Sequence, residues 1–139
     1  LRGGIMKDDI IINKTETIKR CINRINEEYD SNPDNLLIYG KQDSIILNIQ
    51  RLCEACIDIA VHFIRVNKLG VPQSSKESFE ILENRGIITK ELSNSLKGMT
   101  GFRNIAVHDY QSVNLKIVQV VVEKHIYDSL KFAKVILEA

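Results

Sequence analysis

The sequence contains no apolar run long enough to cross a membrane. A transmembrane helix needs roughly 18 or more consecutive apolar residues, and charged or polar residues interrupt every stretch of that length in the 139 residues. No positively charged segment precedes a short apolar run in the manner of a secretory signal. These absences predict a protein without a membrane span or export signal, and we expect it to act in the cytoplasm.

The sequence also lacks an excess of charge of either sign. Nineteen Lys and Arg residues oppose 18 Asp and Glu residues, for a formal net charge of +1. This balance excludes proteins that coat nucleic acid through bulk electrostatics. Any nucleic-acid surface would have to be local, although a solvated helix face explains most such lysines. The candidates for a local basic patch are Lys90, Lys97, Arg103, His108, Lys116 and Lys124.

Cysteine is scarce, and its odd number of three argues against a disulfide framework. Cys53 and Cys56 have the Cys-x-x-Cys spacing, but Cys21, His62 and His125, the candidates to complete a zinc site, are not at finger spacing. The chain also has no Glu-x-x-His pair, the signature of carboxylate metal centres in helical bundles. We therefore expect no metal and no cofactor, and buried core positions for Cys53 and Cys56.

What the sequence does contain is the periodicity of amphipathic helices. A chain of 139 residues, 44% of them hydrophobic, fits one domain with one core. We assign this domain to residues 6–139 and interpret residues 1–5, which precede Met6, as a remnant of cloning or fusion.

Apolar residues recur at three- and four-residue steps over five segments, and caps and breakers separate these segments. The predicted helices run from Asp8 to about Glu28, from about Gln42 to Lys68 before Gly70 and Pro72, from the capping box of Ser74 and Glu77 to Gly86, from Thr89 past Phe102, and from Ser112 or Asn114 to the C-terminus.

The order of these segments predicts an all-α fold without a sheet. The valines at 120–122 are typical of strands, but the apolar positions around them continue with helical spacing. Short connections favour antiparallel neighbours, hence an up-and-down bundle of four to five helices. The second and last helices carry more apolar surface than one small bundle needs, which predicts self-association.

Two glycines interrupt the fourth helix. Gly98 and Gly101 each cost about 1 kcal/mol relative to Ala within a helix. We expect a close neighbour or a bend to account for them.

Reactive side chains follow these glycines. Arg103 offers a planar fork for phosphate oxygens, and a neutral His108 can take a proton from a hydroxyl. On a straight helix five residues turn about 500°, which leaves the two side chains roughly 140° apart. They can share a face only if the helix ends between them, which the polar residues from Asp109 onward favour. The spacing alone also allows Arg103 to cap carbonyl groups and His108 to be a packed loop residue.

Residues 103–110 read Arg-Asn-Ile-Ala-Val-His-Asp-Tyr. This octapeptide resembles the Arg-(polar)-x-x-x-His-x-Tyr motif of HEPN-domain ribonuclease toxins, specifically the HepT-like group. Residues 50–60 resemble the second helix of that family, and residues 69–75 resemble the connection after it. Together these segments span most of the chain in the expected order.

The resemblance implies a HEPN-like homodimer that cleaves RNA without a metal ion. In that family the Arg and His of two protomers converge in one cleft, where the ribose 2′-hydroxyl attacks the adjacent phosphate. His108 then acts as the base, or as the acid from the second protomer, while Arg103 stabilises the phosphoryl oxygens. Asn104 would orient its neighbours or cap the helix end. Tyr110 matches the tyrosine to which a partner MntA-type nucleotidyltransferase antitoxin transfers AMP, which silences the enzyme.

A second hypothesis belongs to a different class of function. The chain would be a non-catalytic helical partner that docks on a nucleotidyltransferase through the same surface. A docking scaffold does not need Arg, His and Tyr side chains together, so the complete motif favours catalysis.

Overall fold

The all-α prediction is confirmed by a computed structural model, which describes residues 2–139 and side chains from Asp9 onward. No strand occurs in this described part of the chain, and none of its helices is long and apolar enough to cross a membrane. The interpretation of residues 1–5 as a remnant lies outside the described side chains. The helices are α1 (Arg2–Tyr29), α2 (Tyr39–Val66), α3 (Ser75–Asn84), α4 (Lys90–His108), α5 (Leu115–Val120) and α6 (Ile126–Glu138).

Shorter helical pieces complete the chain. A 3-10 turn at Pro33–Leu37 connects α1 to α2, and another at Tyr110–Ser112 follows α4. A π-helical segment, Val121–His125, joins α5 directly to α6. Together, α5, the π-helical segment and α6 form the single C-terminal helix that the periodicity predicted. No sequence pattern indicated the π-helical turn.

The four long helices form the predicted up-and-down bundle, and the short α3, between α2 and α4 in the chain, packs against both. α1 packs against α2 and α6, and α2 also packs against α4. Lys14 of α1 pairs with Asp58 of α2 at 2.9 Å, and Ser95 of α4 donates to Asp128 of α6 at 2.6 Å. The 3-10 turn joins the end of α1 to the start of α2, and the turn after α4 bonds to the start of α2, so these three helix ends meet at one end of the bundle.

Isoleucines dominate the core. The fully buried side chains include Ile18, Ile25, Ile45, Ile49, Leu52, Ile59, Phe79 and Phe132. Cys53 and Cys56 lie among them as free thiols, as predicted. Burial raises the pKa of Cys53 to about 12 and that of Cys56 well above its usual range. Both thiols therefore stay protonated and unreactive.

The predicted helix caps are present. Ser74 accepts a hydrogen bond from the N–H of Glu77 at 3.1 Å, and the Glu77 carboxylate accepts from the N–H of Gln73 at 2.6 Å. Thr89 and Asn114 cap α4 and α5 through backbone N–H groups at 3.1 and 2.9 Å. These bonds satisfy donors that a helix start leaves unpaired.

The end of α2 differs from its prediction. The helix stops at Val66, and Lys68 takes the left-handed conformation at a φ of 56° that we expected glycine to supply. The N–H of Leu69 then reaches back to the carbonyl of Ile64 at 2.9 Å, which closes the helix end before Gly70.

Candidate active site

Helix α4 carries most of the predicted motif. It continues without a break to His108, and the N–H of Asp109 still bonds to the carbonyl of Ile105 at 2.8 Å. The expected helix end between Arg103 and His108 is therefore wrong, because the apolar residues between them continue the helical pattern. The two side chains project roughly 140° apart and leave α4 on different faces.

Arg103 faces α2 and is held there by a carboxylate. Its Nε and Nη2 both donate to Oε2 of Glu54, at 3.1 and 2.9 Å. Its Nη1 donates to Oδ1 of the neighbouring Asn104 at 3.0 Å. Of the five N–H groups that a guanidinium carries, these bonds use three and leave two for a ligand. Arg103 is thus a fixed cation with free donors, the arrangement that suits phosphate oxygens.

His108 is the last residue of α4 and is exposed. Its ring nitrogens make no hydrogen bond with any of the residues that the structure describes. Spacings of three, four and three residues place it on one helix face with Gly98, Gly101 and Ile105. We call these four residues the α4 stripe.

The α4 stripe is open. A Cβ built on Gly98 would meet no atom within 4 Å apart from its own helical turn, and one on Gly101 would meet only Lys76 Nζ, at 3.9 Å. Within the described chain no close neighbour accounts for these glycines, and the alternative expectation, a bend, stays a prediction. Shallow cavities of about 250 and 280 Å³ lie between the stripe and α5. Exposed apolar side chains border them, namely Ile105, Ile117 and Val120.

Tyr110 stands in the 3-10 turn after α4 and points to α2. Its hydroxyl donates to Oδ1 of Asp43. Burial, this hydrogen bond and the Asp43 charge raise the pKa of Tyr110 to about 12. The turn itself is closed by the Ser112 hydroxyl, which donates to Asp109, and by the Ser112 N–H, which bonds to the Asp109 carbonyl at 2.9 Å. Tyr110 is consequently a neutral, oriented phenol rather than a loose surface side chain.

The candidate basic residues do not form one patch. Lys90 begins α4 and lies roughly 20 Å along the helix from Arg103. Lys97 is paired with Glu80 of α3 at 3.4 Å. Lys116 is the second residue of α5, which follows the 3-10 turn. The local cationic character of the site therefore comes chiefly from Arg103.

A larger cavity than those beside the α4 stripe lies elsewhere. It measures about 580 Å³ and is lined by Val61, Ile64, Val71 and Pro72, where α2 ends and α3 begins. The motif side chains instead occupy an open surface. No three His, Cys, Asp or Glu side chains in the described part of the chain are placed to hold a metal ion.

Comparison with known proteins assigns this fold and motif to a family. The sequence profile described as Ribonuclease HepT-like matches residues 11–136. The chain belongs to the HepT-like ribonuclease family. The resemblance predicted from residues 103–110 is thereby confirmed.

Relatives of this HepT-like chain match it over most of its length. It is 54% identical over 129 residues to the mRNA nuclease HepT of Shewanella oneidensis, covering 93% of this chain and 97% of that protein. It is 28% identical over 106 residues to the tRNA nuclease HepT of Aphanizomenon flos-aquae, covering 76% and 72%. It matches the solved structure of the tri-AMPylated Shewanella oneidensis HEPN toxin in complex with MNT antitoxin with a TM-score of 0.89, at 53% identity, covering 94% and 98%.

Two polar residues of this HepT-like site were not predicted. Glu54 and Asp43 both lie on α2, far in sequence from Arg103 and Tyr110, which they bind. Glu54 fell within a segment that resembled the family, but nothing in the sequence indicated its partner. Only the register of α4 against α2 brings these side chains together.

Proposed function

We propose that this protein is the toxin of a toxin–antitoxin pair, an endoribonuclease held in check by a nucleotidyltransferase antitoxin. The observation that carries the proposal is the guanidinium of Arg103, fixed by Glu54 with two N–H groups free. It occurs in a chain 54% identical to an mRNA nuclease. Its RNA substrate and the antitoxin would both be met in the cytoplasm.

The proposed chemistry needs a base, an acid and a cation. The ribose 2′-oxygen attacks the adjacent phosphorus, and His108 takes the 2′-hydroxyl proton. The bond to the 5′-oxygen breaks, and a protonated His108 of the second protomer returns a proton to that leaving oxygen. Arg103 stabilises the charge that builds on the non-bridging oxygens, a role in which a preorganised donor contributes several kcal/mol. Asn104 orients Arg103. No metal ion takes part in this scheme.

The proposed active form is a homodimer. Within one chain, Arg103 and His108 leave α4 roughly 140° apart, so a second copy is the simplest way to bring both to one phosphate. The α4 stripe offers the surface for it, because two helical glycines without neighbours permit close approach of another backbone. The stripe ends at His108, so a copy docked there about a two-fold axis would bring both His108 side chains to one interface.

Silencing is proposed to act through AMP added to Tyr110. The related Shewanella oneidensis toxin is tri-AMPylated in its complex with MNT antitoxin. Tyr110 and Arg103 both point to α2, through Asp43 and Glu54. Each AMP carries a negative phosphate at neutral pH, so a short chain of them on this side would occupy the free donors of Arg103 and repel RNA.

The direct test is cleavage of total bacterial RNA by the purified protein. We expect Arg103→Ala and His108→Ala each to abolish cleavage and toxicity, while Arg24→Ala, an exposed arginine of α1, leaves both unchanged. A chelator should not alter the rate. Cleavage by Arg103→Ala, or loss of cleavage with chelator, would contradict the mechanism. A wild-type protein that binds the antitoxin but cleaves no RNA would instead support the docking-subunit hypothesis.

A further inference from the structure

The contact between Tyr110 and Asp43 is a hydrogen bond from a phenol to a carboxylate and not only a packing contact. The phenolic hydroxyl donates to Asp43 Oδ1, and Asp43 makes no salt bridge with any Lys, Arg or His of the described residues. The other carboxylate nearby, Asp109, is engaged by Ser112 within the turn. Asp43 is therefore the carboxylate that faces the hydroxyl, and no cation competes for it.

Tyr110 is poorly prepared to react without help. With its pKa raised to about 12 by burial, the hydrogen bond and the charge of Asp43, about one molecule in 10⁵ is ionised at pH 7. A neutral phenol is a weak nucleophile, and attack on phosphorus requires its proton to leave as the new bond forms. A proton acceptor that is already in contact with the oxygen would assist this step.

We propose that Asp43 is that acceptor, the general base of this chain for its own adenylylation; the inference rests on the function proposed above. The substrate is a nucleoside triphosphate presented by the nucleotidyltransferase. Tyr110 Oη forms a bond to the α-phosphorus, and the bond from that phosphorus to the bridging oxygen breaks. Pyrophosphate leaves with the electron pair, the phenolic proton passes to Asp43 Oδ1, and water then removes it.

The surroundings of the pair suit this role. Asp43 is exposed in the second turn of a 28-residue helix, and the Asp109–Ser112 turn fixes the backbone of Tyr110. Tyr39, one turn before Asp43, is 81% exposed. The pair is therefore rigid on its own side and accessible from outside, which is what an attacking group presented to another protein requires.

The test follows the first AMP addition by intact mass, with the partner nucleotidyltransferase, ATP and full-length protein. We expect Asp43→Asn to slow this addition at least tenfold at pH 7, because a general base typically contributes more than that. Asp43→Glu should restore part of the rate. The matched control is Asp58→Asn, an exposed carboxylate on the same helix that is paired with Lys14 instead, and it should react like wild type.

The pH profile separates a base from a mere anchor. The deficit of Asp43→Asn should shrink as pH rises, since the phenol then ionises without a base. Equal rates for Asp43→Asn and wild type, or a deficit that is constant with pH, would overturn the assignment alone. Wild-type protein that gains no AMP, or gains it equally as Tyr110→Phe, would contradict the proposed function and the assignment with it.

Discussion

Glu54 accepts two N–H groups of Arg103 on a single oxygen, Oε2, at 3.1 and 2.9 Å. The two residues belong to different helices, so this contact sets the direction of the guanidinium relative to the bundle. Because both side chains are partly exposed, at 27% and 37%, the pair adds less than about 1 kcal/mol to stability. We therefore expect Glu54 to matter for the orientation of the Arg103 guanidinium more than for the stability of the fold.

Replacement of Glu54 tests that role. We expect Glu54→Ala to lower kcat for RNA cleavage at least tenfold while the melting temperature changes little, because the cation stays but loses its orientation. Glu54→Gln, which keeps one acceptor oxygen, should retain more activity than Glu54→Ala. Asp58→Ala on the same helix is the control. Faster cleavage by Glu54→Ala would mean that Glu54 competes with the phosphate instead of positioning Arg103.

Mixed dimers test whether two chains share one site. Arg103→Ala and His108→Ala chains, each inactive alone, should give an active heterodimer when co-expressed with different tags and purified through both. Its site retains one Arg103 and one His108, so cleavage should exceed that of either variant yet stay below wild type, because one proton-transfer group is missing. An inactive heterodimer would contradict a site that one Arg103 and one His108 from different chains can complete.

Gly98 tests the α4 stripe as the interface. Gly98→Ala should favour the isolated helix by up to about 1 kcal/mol, since the added Cβ meets nothing nearby within the chain. The same substitution should weaken dimerisation, and Gly98→Leu should abolish it. Light scattering across a concentration series gives the mass. Gly40→Ala, at another glycine without neighbours, is the control, and a Gly98→Leu protein that dimerises normally would place the interface elsewhere.

Tyr110 should be visible in an alkaline titration. Its folded-state pKa of about 12 exceeds the ordinary phenol value of about 10, so the fold favours the neutral form. The associated stability is complete below about pH 10 and is lost as pH rises through about 12. In a titration followed by phenolate absorbance, the wild-type protein should show a transition near pH 12 that is missing in Tyr110→Phe. The same transition should occur at lower pH in Asp43→Asn, because the Asp43 charge no longer raises the pKa of Tyr110.

Local chemistry made much of this structure predictable. Ser74 and Thr89 are cap residues whose bonds span only three positions, and the apolar spacing around 120–122 identified a helix despite its valines. The π-helical turn at Val121–His125 has no comparable local pattern. Lys68 also takes a left-handed position that favours glycine, and the bond from the Leu69 N–H to the Ile64 carbonyl closes the helix end there.

The site was predictable only on α4 and the turn after it. Arg103, Asn104, His108 and Tyr110 occur in one octapeptide, so resemblance found them together; their catalytic and regulatory roles stay predictions. Whether α4 ended before His108 depended on the cap at Asp109, which the sequence left ambiguous. Glu54 and Asp43 reach the site because α2 packs against α4 in one particular register. The periodicity of a helix predicts its buried face, but it does not predict which turn of a neighbouring helix that face contacts.

The end of α4 and the turn after it are hydrogen-bonded to α2 at two points. Arg103 bonds to Glu54 and Tyr110 bonds to Asp43, and His108 lies between these two contacts in the chain. The contact between Tyr110 and Asp43 depends on the phenolic hydrogen, which Tyr110 donates. An AMP ester at Tyr110 replaces that hydrogen and sets a negative phosphate beside the Asp43 carboxylate, so attraction becomes repulsion. Adenylylation would then free the helix end that carries His108, and silencing would include a gain in local mobility, measurable as faster amide exchange over residues 105–110.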